Sequence, residues 1–282
     1  VSEQTLGVGL HYGVPASTYH ADPCPKPSLS SGVARTIIAK SLAHAHAEHP
    51  RLGRSASKEL TKEMNTGLIV HSLLAGTTGE IVLGDFSTFQ SKASKEWAES
   101  AREDGKIPAL QKHYDEALPI AAAFRARAAL GTTDRPFDDG QAEVTGIWAE
   151  GPEDSRAYYR ARYDRLIMQT GEPWTAWDWK VTSDVSTLAI QKKIVQMGYH
   201  YQVAHYLEGM NAICPEFAGR HSFILCFGED APPYSVRRVC LTESFMGIAR
   251  SGMNNAHLLW AHAPKTNVWP DMSSQQTAFI QA

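Results

Sequence analysis

Three consecutive stretches in the middle of the chain alternate apolar with polar positions. They are QAEVTGIWAE from Gln141, RAYYRARYDRLIM from Arg156 and WTAWDWKV from Trp174. A period of two is the mark of a strand with one face on a core. The Gly171-Glu172-Pro173 turn joins the second stretch to the third, so the pattern predicts an antiparallel hairpin behind a first strand. The period then lengthens: Leu188, Ile190, Ile194, Val195, Tyr199, Val203, Tyr206 and Leu207 fit one apolar face of a single helix from about Ser186 to Met210, stopped by Pro215. HSFILCFGED reads as a buried strand, YSVRRVCLT beyond Pro232-Pro233 as another, and Glu243 to about His262 as a last helix.

Ahead of the strands, Ser30 or Ser31 caps a predicted helix through VARTIIAKSLAHAHAEH. Leu60, Met64, Leu68, Leu73 and Leu74 predict a second helix over 57–76, ended by Gly76. The polar stretch 77–112 reads as an exposed loop followed by a short helix, and 111–130 as an Ala-rich helix interrupted at Pro119. Both termini are turn-rich, with weak strand character in the tail. The chain is therefore expected to be one α/β (α+β) domain over 1–282: a mainly helical part (1–135), a mixed sheet with its helix (136–242), and a C-terminal helix and tail (243–282).

Composition changes this picture little. A net charge of −3 does not advertise nucleic-acid binding, although a basic groove on an acidic body remains compatible with it. Cys24, Cys214, Cys226 and Cys240 lack metal-finger spacing and fit buried roles in a reducing compartment. No signal peptide and no membrane span are expected; the absence of an initiating Met points to a trimmed start.

The candidate chemistry lies in the hairpin. Strand alternation puts Asp178 and Lys180 on one face with Trp179 pointing away, and antiparallel pairing brings Asp164 toward them. Two carboxylates beside an ammonium are costly to bury without a purpose. They suit a divalent cation, with the lysine orienting a water or stabilising developing negative charge. Several residues carry two readings. His71 is a packed helix histidine or a ligand, with Gly67 one turn earlier allowing close backbone approach. Glu143 is a solvated strand residue or faces the metal pocket. Arg35 is a solvated helix residue or a phosphate contact. Arg160 and Arg162, interleaved with tyrosines, are one charged strand face or a surface for phosphates and bases. Gln202 and Tyr206 share one side of the long helix, with Lys192 and Lys193 toward its start.

The order of His71 helix, three antiparallel strands, long helix and further strand resembles the core of the PD-(D/E)xK nucleases, a restriction-endonuclease-like fold with a central mixed sheet flanked by helices. Asp164-x13-Asp178-x-Lys180 is similar to the catalytic hairpin of that superfamily, and Gly67 to His71 and Gln202-x3-Tyr206 to its RecB-type subset. STYHADPCPKPSLSSG, AKSLAHAHAEH, GLIVHSLLAG, YYRARYDRL, AWDWKVTSD, APPYSV and WPDMSS resemble segments of the RecE-type exonuclease VIII family of phage and prophage. Leu42 and Tyr163 stand where that family often has Pro, and Val181 where it has Thr.

The resemblance implies a cytoplasmic, metal-dependent, ATP-independent 5′→3′ exonuclease on linear duplex DNA; the alternatives are a nuclease of the same superfamily with other polarity, a structure-specific endonuclease, and a DNA-binding recombination factor with a dead site. It implies a ring-shaped homo-oligomer, trimer or tetramer, that hands 3′ single-stranded tails to an annealing protein for recombination. It also implies two Mg²⁺ or Mn²⁺ ions held by Asp164, Asp178 and the Trp179 carbonyl. His71 suits Mn²⁺ better than Mg²⁺ as a nitrogen ligand, and Glu143 is a further candidate. Lys180 activates the water, while Gln202 and Tyr206 hold DNA or Lys180. Arg35, Arg160, Arg162, Lys192 and Lys193 are the candidate DNA contacts.

Overall fold

The computed structural model describes residues 5–53, 62–77 and 80–274. Its strands are β1 (Gly9–His11), β2 (Ser28–Ser30), β3 (Ile81–Gly84), β4 (Ile107–Leu110), β5 (Gly140–Glu150), β6 (Ala157–Ile167), β7 (Thr175–Thr182), β8 (Ser222–Glu229) and β9 (Val236–Val239). Its helices are α1 (Ala16–His20), α2 (Ser31–Ala39), α3 (Leu42–Glu48), α4 (Lys62–Ala75), α5 (Lys92–Glu103), α6 (Gln111–Arg127), α7 (Thr187–Met197), α8 (Tyr199–Ile213) and α9 (Glu243–Thr266).

The fold is mixed α/β, with helices on both faces of a seven-stranded sheet. The sheet runs β1-β5-β6-β7-β8-β9, with β2 added to β6. The three alternating stretches pair antiparallel as β5, β6 and β7. The α7–α8 crossover then returns the chain so that β8 lies parallel to β7, as such a connection requires. Trp148, Tyr159, Tyr163 and Met210 form one core with Trp260 of α9. Ile69, Leu74, Ile120 and Phe124 pack with Trp177 and Trp179 on the opposite face. Both tryptophans of β7 thus point away from Asp178 and Lys180, as strand alternation predicts.

Four local readings are corrected. The helix predicted through 33–49 is two helices, because Ser41 caps α3 by accepting the His44 N–H (3.3 Å). The long helix over 186–210 breaks at Gly198, which adopts φ 65° and separates α7 from α8. The polar stretch 77–112 contains the expected short helix, α5, but the flanking segments are not loop: Ile81–Gly84 pairs in parallel with Ile107–Leu110 across α5. A Cβ on Gly84 would sit 2.5 Å from the Trp97 ring, so only glycine permits that packing. Finally, among the described residues no backbone closes on Gly67, where a Cβ would meet nothing within 4 Å. Residues 57–61 of the helix predicted over 57–76, and 275–282 of the tail, lie outside the described residues.

A buried polar knot ties the N-terminal segment to β6. Asp22 accepts from the Ser28 N–H (2.8 Å) and hydroxyl (2.6 Å), and its carboxylate faces His49 Nε2 (3.3 Å) and the Arg160 guanidinium (3.2 Å). Burial works against the Asp22 carboxylate, but His49, Arg160 and Ser28 outweigh it and hold its pKa below the ordinary value. This contribution to stability is present above the unfolded carboxyl range and is lost as pH falls through the lowered folded pKa.

Candidate active site

The site forms where β6 loses its partner strand. On the side away from β5, β6 pairs with β2 at Tyr158, Tyr159 and Arg160 and with β7 at Arg165, Leu166 and Ile167. Continuing the β6–β7 register would set Asp164 against Asp178, but the ladder ends at Arg165↔Trp177. Asp164 fills the fork instead, its Oδ2 accepting the Trp179 N–H at 2.9 Å. Tyr206 closes the fork from α8: its hydroxyl bonds the Arg162 backbone, and its carbonyl accepts the Tyr163 O–H at 3.0 Å.

The alternation of β6 also slips here. Tyr159, Ala161 and Tyr163 lie in the core with α8 and α9, but so does Leu166, while Ile167 lies in the opposite core. On β5 the residue in register with Asp164 is Glu143, between the Ala142↔Arg165 and Val144↔Tyr163 pairs. Glu143 has φ 53°, which costs a non-glycine residue on the order of 1–3 kcal/mol. Arg162 holds it there: its Nε donates to the Glu143 carboxylate and its Nη1 to the Val14 carbonyl (2.7 Å).

His71 reaches the fork from α4. Its Nε2–H donates to the Trp179 carbonyl at 2.8 Å, and its Nδ1 lies 3.3 Å from Asp164 Oδ2. One ligand atom each from His71, Glu143 and Asp164 lies within 4.8 Å of the other two. The Trp179 carbonyl, anticipated as a metal ligand, is therefore the acceptor that orients the His71 ring. A backbone carbonyl in that position is a usual partner of a metal-binding histidine.

Asp178 and Lys180 pair directly on the α8 side. The second oxygen of Asp178 accepts from Gln202 Nε2 at 2.7 Å, and the Lys180 ammonium sits 4.8 Å from the centre of the Tyr199 ring. Gln202 thus holds Asp178 rather than Lys180. His71, Glu143, Asp164, Lys180 and Tyr199 border a cavity of about 540 Å³ that Gly67 helps to line, with Asp178 buried behind them.

Electrostatics follow from this crowding. Burial pushes the Asp164 carboxyl up to about 7; the Asp178 and Glu143 charges add to the rise, and His71 and Lys180 oppose it. Burial works against the Lys180 ammonium, yet Asp178 and Asp164 outweigh it and its pKa is raised. Lys180 is accordingly a cation that positions a water or steadies negative charge, rather than a neutral base. Burial also lifts the Tyr206 hydroxyl well above its ordinary value, so it stays protonated.

The donor set fits a divalent cation. With its Nε2 proton committed to the Trp179 carbonyl, a neutral His71 presents the Nδ1 lone pair to two carboxylates, and a cation at that point satisfies all three. Asp164 must shed its proton to bind. Expected, therefore, is an apparent Mn²⁺ affinity that rises as pH increases through about 7 and levels off above it. Calorimetric titration between pH 6 and 8.5 checks this, and a flat profile would refute it.

The basic residues divide. Arg160 is a correction: it is 3% exposed, bonds Ser28 and Asp22, and stacks on Tyr19, so it is structural rather than a DNA contact. Arg162 lines the cavity but is committed to Glu143 and Val14. Arg35 donates to the Met197 carbonyl beside Gly198, where a Cβ would meet its Cδ at 2.9 Å. Lys193 borders the cavity while bonding the Val181 carbonyl (3.2 Å), and Lys192 is exposed. Tyr199 is the site residue that pattern reading overlooked as anything but core; the available signal was Gly198, an interruption in a helical period.

No family model and no curated protein matches the chain. Among solved structures, the chain is similar to a “Putative exonuclease” from Eubacterium rectale, with a TM-score of 0.57, 12% identity, and 96% of this chain and 97% of that one covered. This similarity shows the fold. SSO0001 (TM-score 0.31, 12% identity, 70% and 86% covered) and Rai1 of Scheffersomyces stipitis (TM-score 0.27, 13% identity, 83% and 66% covered) resemble it too weakly to carry an argument.

Proposed function

We propose that this chain is a divalent-metal-dependent deoxyribonuclease that digests linear duplex DNA from its 5′ ends and leaves 3′ single-stranded tails. One observation carries the reading: His71, Glu143 and Asp164 converge on one point beside the Lys180–Asp178–Gln202 chain, at the edge of an open cavity. The fold shared with the Eubacterium rectale protein, whose printed name is that of an exonuclease, agrees with it.

In this account His71, Glu143 and Asp164 hold Mg²⁺ or Mn²⁺, with Asp178 the adjacent carboxylate for a second ion. A bound ion polarises the scissile phosphate and lowers the pKa of an attacking water. Lys180 orients that water and steadies the charge that builds on the phosphate oxygens. Gln202 fixes Asp178, and Asp178 fixes Lys180. Tyr206 caps the fork by occupying the free edge of β6. The 5′ polarity, the ring of three or four copies, the annealing partner and the recombination role rest on the RecE-type resemblance.

The test uses 5′-labelled and 3′-labelled linear duplex with a closed circle as control, in Mg²⁺, Mn²⁺, Ca²⁺ and excess chelator. Expected are progressive loss of the 5′ label, an intact circle, strong support by Mg²⁺ or Mn²⁺, and poor support by Ca²⁺, which takes longer and looser coordination. Cutting of the circle would make the protein an endonuclease, and early loss of the 3′ label would reverse the polarity. Undiminished digestion in chelator would remove the metal from the account.

A further inference from the structure

A second cluster with ligand spacing lies at the other end of β5. Glu150 closes that strand, Glu208 lies on α8 and His257 on α9, and one ligand atom of each lies within 4.8 Å of the other two. Glu143 and Glu150 share a strand, seven residues apart, so about 20 Å separates the two clusters at the ordinary strand rise.

The histidine chain behind this cluster fixes its protons. His205 is fully buried, and its Nε2 lies 3.0 Å from the Arg160 carbonyl. A carbonyl only accepts, so Nε2 of His205 carries the proton and a neutral ring leaves Nδ1 as an acceptor. That Nδ1 is 3.0 Å from Nε2 of His257, which must therefore donate. In a neutral ring the remaining nitrogen of His257, Nδ1, carries a lone pair. His257 is 4% exposed, and among the described residues this Nδ1 has no hydrogen-bond partner, although Glu208 Oε1 lies 3.1 Å away. A buried lone pair facing two carboxylates is unfavourable unless a proton or a metal cation lies among them. Tyr159 stacks on the His257 ring at 4.4 Å and fixes its plane. Arg250, at the small cavity beside Glu208, is taken up by Glu243.

We propose that Glu150, Glu208 and His257 form a second metal site, for a transition-metal dication such as Zn²⁺, that fastens the end of β5 to α8 and α9. One imidazole nitrogen and two carboxylate oxygens suit Zn²⁺, with water completing the shell. The relay from His257 through His205 to a backbone carbonyl supplies the outer partner that metal-bound histidines usually have. The site is structural and lies apart from the cleavage chemistry, so it stands whether or not the chain is a nuclease.

The experiment measures zinc bound per chain, after equilibration at fixed free Zn²⁺, in the full-length protein carrying Asp164→Ala and His71→Ala to disable the first cluster. The same background with Glu150→Gln and Glu208→Gln is the comparison. Both glutamates reach solvent, so these variants keep the fold, which circular dichroism verifies. Expected are one zinc per chain in the background, at least about tenfold weaker binding after the glutamine changes, and a zinc-induced rise in Tm that disappears with them. His257→Gln should weaken binding likewise. In the protein with an intact first cluster, Glu150→Gln should leave DNA cleavage unchanged. Zinc binding indifferent to all three substitutions, or absent from the background, overturns the proposal.

Discussion

Asp164→Asn is expected to lower metal-supported DNA cleavage by about 10³-fold while making the metal-free protein more stable at alkaline pH. Removing a ligand forfeits several kcal/mol of charge stabilisation in the transition state, and about 4 kcal/mol corresponds to such a loss. The amide oxygen still accepts the Trp179 N–H that Asp164 now binds, so the fork keeps its shape. The stability arm follows from the carboxyl that burial raises to about 7. A raised folded pKa contributes stability that is complete below the unfolded value and lost as pH climbs through the folded one. Above pH 7 the native protein carries a desolvated carboxylate that the amide does not. Thermal melts in chelator should show the variant's advantage over wild type growing from pH 5 to pH 8, where it reaches several degrees. Full activity, or a lower Tm at pH 8, would contradict the assignment.

Arg160→Ala is expected to destabilise the protein by roughly 3–5 kcal/mol, the usual cost of removing one partner from a buried ion pair. At a chain length near this one, that is a fall in Tm of roughly 6–20 °C. The cause is local: Asp22 would remain buried with its charge, and Ser28 would lose the guanidinium that now bonds both its carbonyl and its hydroxyl. A DNA-contacting arginine behaves oppositely, weakening binding while leaving stability unchanged. Urea unfolding and duplex binding on one preparation separate the two, and an unaltered unfolding midpoint would reject the structural role.

These two residues show what the sequence reveals and what it hides. The β6–β7 hairpin was legible because alternation and the Gly171-Glu172-Pro173 turn agree, so the shared face of Asp178 and Lys180 could be read directly. The fork was not legible. Its cause is the early end of one ladder and a slip of alternation opposite Glu143, whose positive φ no composition signals. Arg160 and Arg162 alternate alike with tyrosines, yet one is sealed by the N-terminal segment and the other reaches the cavity. Only tertiary contacts made over a hundred residues away distinguish them. β1 and β2 are three residues each, too short for any period to register. Gly198 interrupts a helical pattern whose apolar positions continue across it, and its backbone conformation, not its hydropathy, divides α7 from α8.

The central claim is that one cation sits among His71, Glu143 and Asp164, and anomalous scattering from a Mn²⁺-soaked crystal tests it most directly. The account predicts a manganese peak at about 2.0–2.3 Å from His71 Nδ1 and from one oxygen of each carboxylate, typical ligand distances for such an ion. A map with no peak at the fork, or with manganese held elsewhere while His71 keeps its contact to Asp164, would contradict it.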